Sequence, residues 1–142
     1  MLATFGTATT VDYVRWDEAA QQHCFEGGVI VPGLALMLSA LHQGTAQLPA
    51  LTVEMLGQLD ISQHAVVPQT TTQALLYGAV LAQVATVQAM LARCGMPQLL
   101  LAGGYAAALQ CEFERVQQPS VRLVQSVLAG LERYALACVA NE

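Results

Sequence analysis

Residues 25–38 read FEGGVIVPGLALML, and the change of pattern inside this stretch decides the fold class. Val29-Ile30-Val31 is a β-branched run of the kind a pleated sheet accommodates. Immediately after it, Leu34, Met37, Leu38 and Leu41 recur at i, i+3, i+4 and i+7, which is the period of a packed amphipathic helix. The switch falls on Pro32-Gly33, where a proline suits the first turn of a helix. The reading is a strand over Phe25–Val31, bearing a double-glycine bulge or a tight backbone approach at Gly27-Gly28, then a helix stopping at Gly44.

Toward the N-terminus, residues 2–16 read LATFGTATTVDYVRW, rich in Thr, Val, Phe, Tyr and Trp. They predict two short strands bent around Gly6-Thr7-Ala8, with Asp17–Gln22 as a polar turn before the third strand. Toward the C-terminus the pattern weakens from Thr45 to Gln69, where Pro49, Gly57 and Pro68 leave room for one short helix. Thr70-Thr71-Thr72 opens a long helix running through Cys94 and closed by Gly95 and Pro97. Leu99–Ala102 reads as a strand ending in Gly103-Gly104, with a helical Tyr105–Gln110 behind it. Pro119-Ser120 then caps a last helix carrying Val121, Val124, Leu128, Leu131, Ala135 and Cys138 on one face. The expected order is β-β-β-α-(loop)-α-β-α, an α/β domain without internal repeats.

Composition bounds the function. Of 142 residues, 55% are hydrophobic and 11% charged, which excludes disorder. The ten acids outnumber five bases, giving a net charge of −5. All the bases are arginines, spread singly at positions 15, 93, 115, 122 and 133. Without a lysine, the lysine-bearing P-loop, Schiff-base chemistry and a pyridoxal anchor are all excluded. Without a basic cluster, nucleic acid is not an expected partner. So little charge on so apolar a chain predicts a partly covered surface, whether by an oligomer interface, a neighbouring domain or a membrane. The long helix is the one membrane candidate. Gln83 and Gln88 interrupt it, and its small residues (Ala74, Gly78, Ala82, Ala85, Ala89, Ala92) suit close packing within a protein, so no membrane is expected.

Side chains that carry chemistry are sparse. Cys24, Cys94, Cys111 and Cys138 are irregularly spaced and read as reduced core fillers in a cytoplasmic protein. His23, His42 and His64 stand at no metal-ligand spacing with them except the adjacent His23-Cys24, a poor chelate because neighbours in a strand point to opposite faces. The opening decapeptide lacks the basic and apolar regions of a signal peptide. Asp12, Glu26 and Asp60 read as solvated or capping groups. No nucleophile arrangement or metal cluster is present, so the expected catalytic and metal residues are none. What remains is three glycine-bearing segments, at residues 6–10, 27–33 and 101–104. There backbone amides and threonine hydroxyls can approach phosphate oxygens.

These segments carry a resemblance. FGTATT (5–10), GGVIVPG (27–33), TAQLP (45–49), TTTQALLYG (70–78) and LAGGYA (101–106) together resemble the C-terminal half of type III pantothenate kinases, over a span from Leu2 to about Leu131. The resemblance implies one ribonuclease-H-like half of the actin-like, sugar-kinase-like fold, as a single domain over residues 1–142. It implies ATP-dependent phosphorylation of pantothenate, the first step toward coenzyme A. Gly6 and Thr7 would meet the ATP phosphates, Gly103 and Gly104 the nucleotide, and Thr71 and Gly28 the pantothenate. It implies ATP with Mg2+ and a homodimer. A monovalent cation (K+ or NH4+) is also implied, but Thr4 replaces the aspartate that usually holds it. Ala102 stands in place of the nucleotide-side threonine.

The family's first phosphate loop and its catalytic aspartate, in a Gly-x-Asp-Arg motif, precede everything in this sequence. The expectation is therefore a half that is inactive alone and takes a separate N-terminal half. The alternative is a non-catalytic, dimerising or regulatory remnant.

Overall fold

The first two strands come from the Thr- and Val-rich opening and the third from the stretch around Val29-Ile30-Val31, as expected. β1 (Leu2–Phe5), β2 (Ala8–Asp17) and β3 (Gln22–Pro32) form an antiparallel meander. The computed structural model describes residues 1–58 and 67–139; Asp60 and His64 lie outside the described residues, as do the side chains of Ala135 and Cys138. The double glycine of β3 serves both of its expected uses, one per residue. The β2–β3 register slips between Tyr13 and Val14, leaving Glu26 as the extra residue of a bulge, and Gly27 supplies the φ of +117° that bends the strand. Gly28 supplies the close approach: a Cβ there would stand 2.5 Å from the Val11 carbonyl oxygen and 2.8 Å from Asp12 Oδ1. Glu26, pushed outward, pairs with Arg15 at 2.8 Å.

α1 (Leu34–Gln43) follows directly, burying Leu34 and Leu38 and ending at Gly44. A short 3-10 turn, Val53–Gln58, is the short helix expected in the weak segment. α2 (Thr71–Arg93) is the long helix, and its N-cap is Thr70, whose side chain accepts a hydrogen bond from the Gln73 amide. Its inner face carries Leu76, Val80, Val84, Val87 and Leu91, at most a few per cent exposed. Each such burial stabilises the fold by about 1.5–3 kcal/mol relative to exposure. α2 is the one helix among the described residues long and apolar enough to cross a membrane. Its inner face is buried within the fold and its outer face is exposed. Gln83, which breaks the apolar run, is itself fully buried and donates to the Pro32 carbonyl at 2.9 Å. It thereby clamps α2 to the corner between β3 and α1.

β4 (Leu99–Ala102) adds to β1 in parallel, and α3 (Ala106–Arg115) follows it. Here the structure departs from expectation. Ser120–Arg122 is a strand, β5, parallel to β4, and α4 begins only at Ser126 and runs to Val139. Val121 and Val124 therefore lie outside the last helix. Val121 faces Leu100 in the ladder, and the Leu123 amide extends the pairing to the Leu101 carbonyl at 2.7 Å. Gln125, at a φ of 54°, then turns the chain into the helix.

The completed sheet has the order β3-β2-β1-β4-β5, antiparallel on one side of β1 and parallel on the other. This mixed α/β arrangement is consistent with one half of an actin-like, sugar-kinase-like fold. The core-filler reading of the cysteines needs correction. Cys94 packs half-buried against the core and Cys24 is half-buried on β3, but Cys111 is exposed on the outer side of α3.

Candidate functional site

In open sheets with parallel strands, ligands settle beyond the carboxyl ends of those strands, where the connections diverge. The carboxyl ends of β1, β4 and β5 meet that condition here. β1 ends at Phe5 and turns through Gly6-Thr7, the Gly6 amide donating to the Ala8 carbonyl at 3.1 Å. The corner between β3 and α1 lies directly on this turn. The Gly33 amide donates to the Thr7 carbonyl at 3.0 Å, and a Cβ on Gly33 would collide with the Gly6 carbonyl and stand 2.7 Å from that of Thr7. The β4–α3 turn closes on the same strand end from the other side. Gly103 takes a φ of +93°, its missing Cβ leaves space for the Phe5 backbone, and the Tyr105 amide donates to the Phe5 carbonyl at 3.2 Å. Three glycine-bearing corners are thus gathered around the end of one strand.

Beside them opens a cavity of about 360 Å3. Its lining mixes Thr4, Gly103, Gly104, Arg122, Gln125 and Ser126 with the apolar side chains of Leu123, Val124 and Val127. Gly103-Gly104 leads into α3, whose first turn has neither a side-chain cap nor an acidic residue. The Tyr105 and Ala106 amides are already taken by the Phe5 and Gly103 carbonyls, which leaves the next amides of the turn and the positive end of the helix dipole, a setting suited to an oxyanion. Arg122 is the charged residue of the lining, and its guanidinium can pair with phosphate in a bidentate fashion. The apolar wall suits the face of a flat ring.

Of the residues singled out in the sequence, Thr4, Gly103 and Gly104 line the cavity, and Gly6 and Thr7 form the adjoining turn. Thr71 and Gly28 do not line it. Thr71 is exposed on the first turn of α2, one residue past the cap, and the packing of Gly28 on β2 accounts for that glycine by itself. The acids depart from the solvated or capping reading: Asp12 accepts from the Thr10 hydroxyl at 3.1 Å and Glu26 holds Arg15, while Asp60 lies outside the described residues. Among the described residues, no group of three His, Cys, Asp or Glu could hold a metal ion. Among the described residues, no carboxylate lines the cavity.

Two groups of residues were missed in the sequence. Arg122 and Leu123–Val127 were hidden in a helix face; the alternation of Val121, Arg122 and Leu123 after a proline was the signal for a strand instead. The second group ties α3 to α2. Arg115 donates from Nε to Glu112 Oε2 at 2.8 Å and from a terminal nitrogen to the Tyr77 hydroxyl at 2.9 Å. Glu112 is almost wholly buried, and its carboxylate, hydrogen-bonded to Arg115, raises that guanidinium above its ordinary pKa.

Comparison with known proteins places the chain in a family. The family model described as type III pantothenate kinase matches residues 1–93. A type III pantothenate kinase of Cupriavidus pinatubonensis is 42% identical over 123 residues, covering 80% of this chain and 43% of that protein. One of Cupriavidus taiwanensis is 39% identical, covering 96% of this chain and 49% of its own length. One of Burkholderia multivorans is 34% identical across 100% of this chain and 53% of its own. The chain spans about half the length of the curated relatives it matches.

Proposed function

The chain belongs to the type III pantothenate kinase family, and from that premise we propose that its 142 residues are the nucleotide-holding half of an ATP-dependent pantothenate kinase. The observation that carries this reading is the cavity at the carboxyl ends of β1, β4 and β5, with Gly103-Gly104 and Arg122 on its rim. The reaction moves the γ-phosphoryl group of ATP to the primary hydroxyl of pantothenate, giving 4′-phosphopantothenate and ADP. Catalysis of such a transfer is mostly positioning and neutralisation of charge. In this half, the Gly6-Thr7 turn and the amides at the start of α3 hold phosphate oxygens, Arg122 offsets their charge, and the apolar wall receives the adenine. Thr71, at the head of α2, and Gly28 are carried as the pantothenate side.

A hydroxyl proton must leave as the phosphoryl group arrives, and the 142 residues contain no Gly-x-Asp-Arg motif to take it. The base and the first phosphate loop belong to polypeptide corresponding to the half of the relatives that this chain does not match. Magnesium neutralises developing phosphate charge in such transfers, but the cavity lining offers it no carboxylate. It would therefore arrive on the nucleotide. Where the family's aspartate would meet a monovalent cation, this half has the neutral hydroxyl of Thr4. The working assembly is a cytoplasmic homodimer packed through the outer face of α2.

Titration of a millimolar adenine nucleotide into the isotope-labelled chain tests the placement. Amide shifts gathered at Thr4, Gly103, Gly104 and Arg122–Val127 support it. Shifts scattered elsewhere, or none, overturn it.

A further inference from the structure

Gln83 is the anomaly of α2. It is fully buried on the apolar inner face of the helix, between Val80 and Val84. Its Nε2 donates to the Pro32 carbonyl at 2.9 Å and to Met37 Sδ at 3.3 Å. Its Oε1 has no partner among the described residues. An apolar side chain of similar length would fill the space without an orphaned oxygen, so packing alone does not explain a glutamine here. A second orphan, the buried Thr9 hydroxyl, stands on β2 across from Val31, the neighbour of Pro32. Unpaired polar groups in a core mark places where a fold gives up stability for function.

What the Gln83 amide holds is one step from the phosphate turn. Pro32 stands across from Ala8 in the β2–β3 ladder, and the next residue, Gly33, donates its amide to the Thr7 carbonyl at 3.0 Å. The approach is so close that a Cβ on Gly33 would collide with the Gly6 carbonyl. A shift of the Pro32-Gly33 corner therefore displaces Gly6-Thr7 directly. Thr7 and Ala8 are themselves exposed, so the turn draws its rigidity from the corner behind it. A site that holds a ligand by backbone position needs such support from a rigid element, and α2, at 23 residues, is one.

We infer that Gln83 is a positioning residue for the nucleotide: through Pro32 and Gly33 it fixes the Gly6-Thr7 turn in the geometry that receives ATP phosphate oxygens. The inference rests on the proposed function, since it takes that turn as a phosphate site. The test uses the isotope-labelled 142-residue chain and its Gln83→Met variant, which keeps the side-chain length and removes the amide. Exchange of the Gly33 amide should quicken roughly tenfold in the variant, while that of Val87 in the core stays as in the parent. The dissociation constant for MgATP, read from the Gly103 and Gly104 amide shifts, should rise roughly fivefold at an unchanged urea midpoint. In the parent, MgATP should also shift the Gln83 side-chain amide resonances with the same midpoint as Gly103, although Gln83 is not among the residues that line the cavity. That reading needs no substitution and decides the matter if the variant fails to fold.

Equal Gly33 exchange in the two chains, or an ATP affinity untouched by the substitution, overturns the inference and leaves the proposed function standing. So does a Gln83 side chain whose resonances ignore bound ATP. A parent chain that takes up no ATP, with Gly33 exchange still quickened in the variant, overturns both and leaves Gln83 a clamp of the fold alone.

Discussion

Gly103 and Phe5 share one space: the turn after β4 lies on the end of β1 so closely that a Cβ on Gly103 would overlap the Phe5 backbone. The turn also holds a φ of +93° that a side chain resists. Gly104, one residue on, has open space where its Cβ would be. Gly103→Ala should therefore lower stability by at least ~2 kcal/mol, from strain and displacement together. Gly104→Ala should stay within ~0.5 kcal/mol of the parent. Urea unfolding of the two variants checks the pair, and equal midpoints would refute the packing argument.

Thr70, the cap of α2, and Thr71, proposed for the substrate side, can be separated by substitution. Thr70 caps α2 through the Gln73 amide, so Thr70→Ala should cost ~1 kcal/mol of stability. Thr71 is exposed and makes no cap, so Thr71→Ala should leave the melting temperature nearly unchanged. In the assembled kinase, losing a hydroxyl that meets pantothenate should raise the KM for pantothenate several-fold, at about 0.5–1.5 kcal/mol, with ATP less affected. Thr71→Ser should retain most of the parent value. Unchanged KM in Thr71→Ala would remove this residue from the substrate side.

The Glu112–Arg115–Tyr77 link fastens α3 to α2. Arg115→Ala strips a buried carboxylate of its partner, at a cost of about 1–3 kcal/mol. Tyr77→Phe removes only the exposed end of the link and should cost well under 1 kcal/mol. Chemical denaturation of the two single variants and the double variant gives their coupling. A tyrosine effect as large as the arginine effect would contradict this order.

The outer face of α2 presents Ala74, Gly78, Leu81, Ala85, Ala89 and Ala92 to solvent. If it is the homodimer contact, Gly78→Arg should turn a dimer into a monomer in sedimentation velocity. The fold should be unharmed, because nothing lies within 4 Å of the added carbon. A parent chain that is already monomeric would overturn the dimer.

The meander, α1, α2 and β4 were legible because each announces itself locally: period-2 Thr and Val runs, a 3.6-residue apolar stripe, and glycine or proline punctuation. β5 was not. A three-residue strand acquires its identity from the neighbour it pairs with, and Val121–Leu123 reads equally as a helix start until β4 stands beside it. The cavity was half legible for the same reason. Gly103-Gly104 declared a close approach, whereas Arg122 and Val124 reach the site only through the β5 pairing. Gln83 illustrates the converse. In the sequence it breaks an apolar run, and only the corner at Pro32 explains why a buried amide is kept there. Which of three consecutive threonines caps α2 is a choice no propensity resolves; the structure puts the cap at Thr70.

The central claim, that these residues are one half of a pantothenate kinase, is tested most directly by ATP-dependent phosphorylation of pantothenate. The assay is run with the 142-residue chain alone and again with the unmatched half of the Cupriavidus pinatubonensis relative joined ahead of it. The account predicts no 4′-phosphopantothenate from the chain alone and turnover from the joined protein, lost when the aspartate of the added Gly-x-Asp-Arg motif becomes asparagine. Turnover by the chain alone, abolished by Thr71→Ala, would contradict the need for a second half. A folded, joined protein that binds ATP yet transfers no phosphate would contradict the kinase reading and leave a dimerising or regulatory remnant in its place.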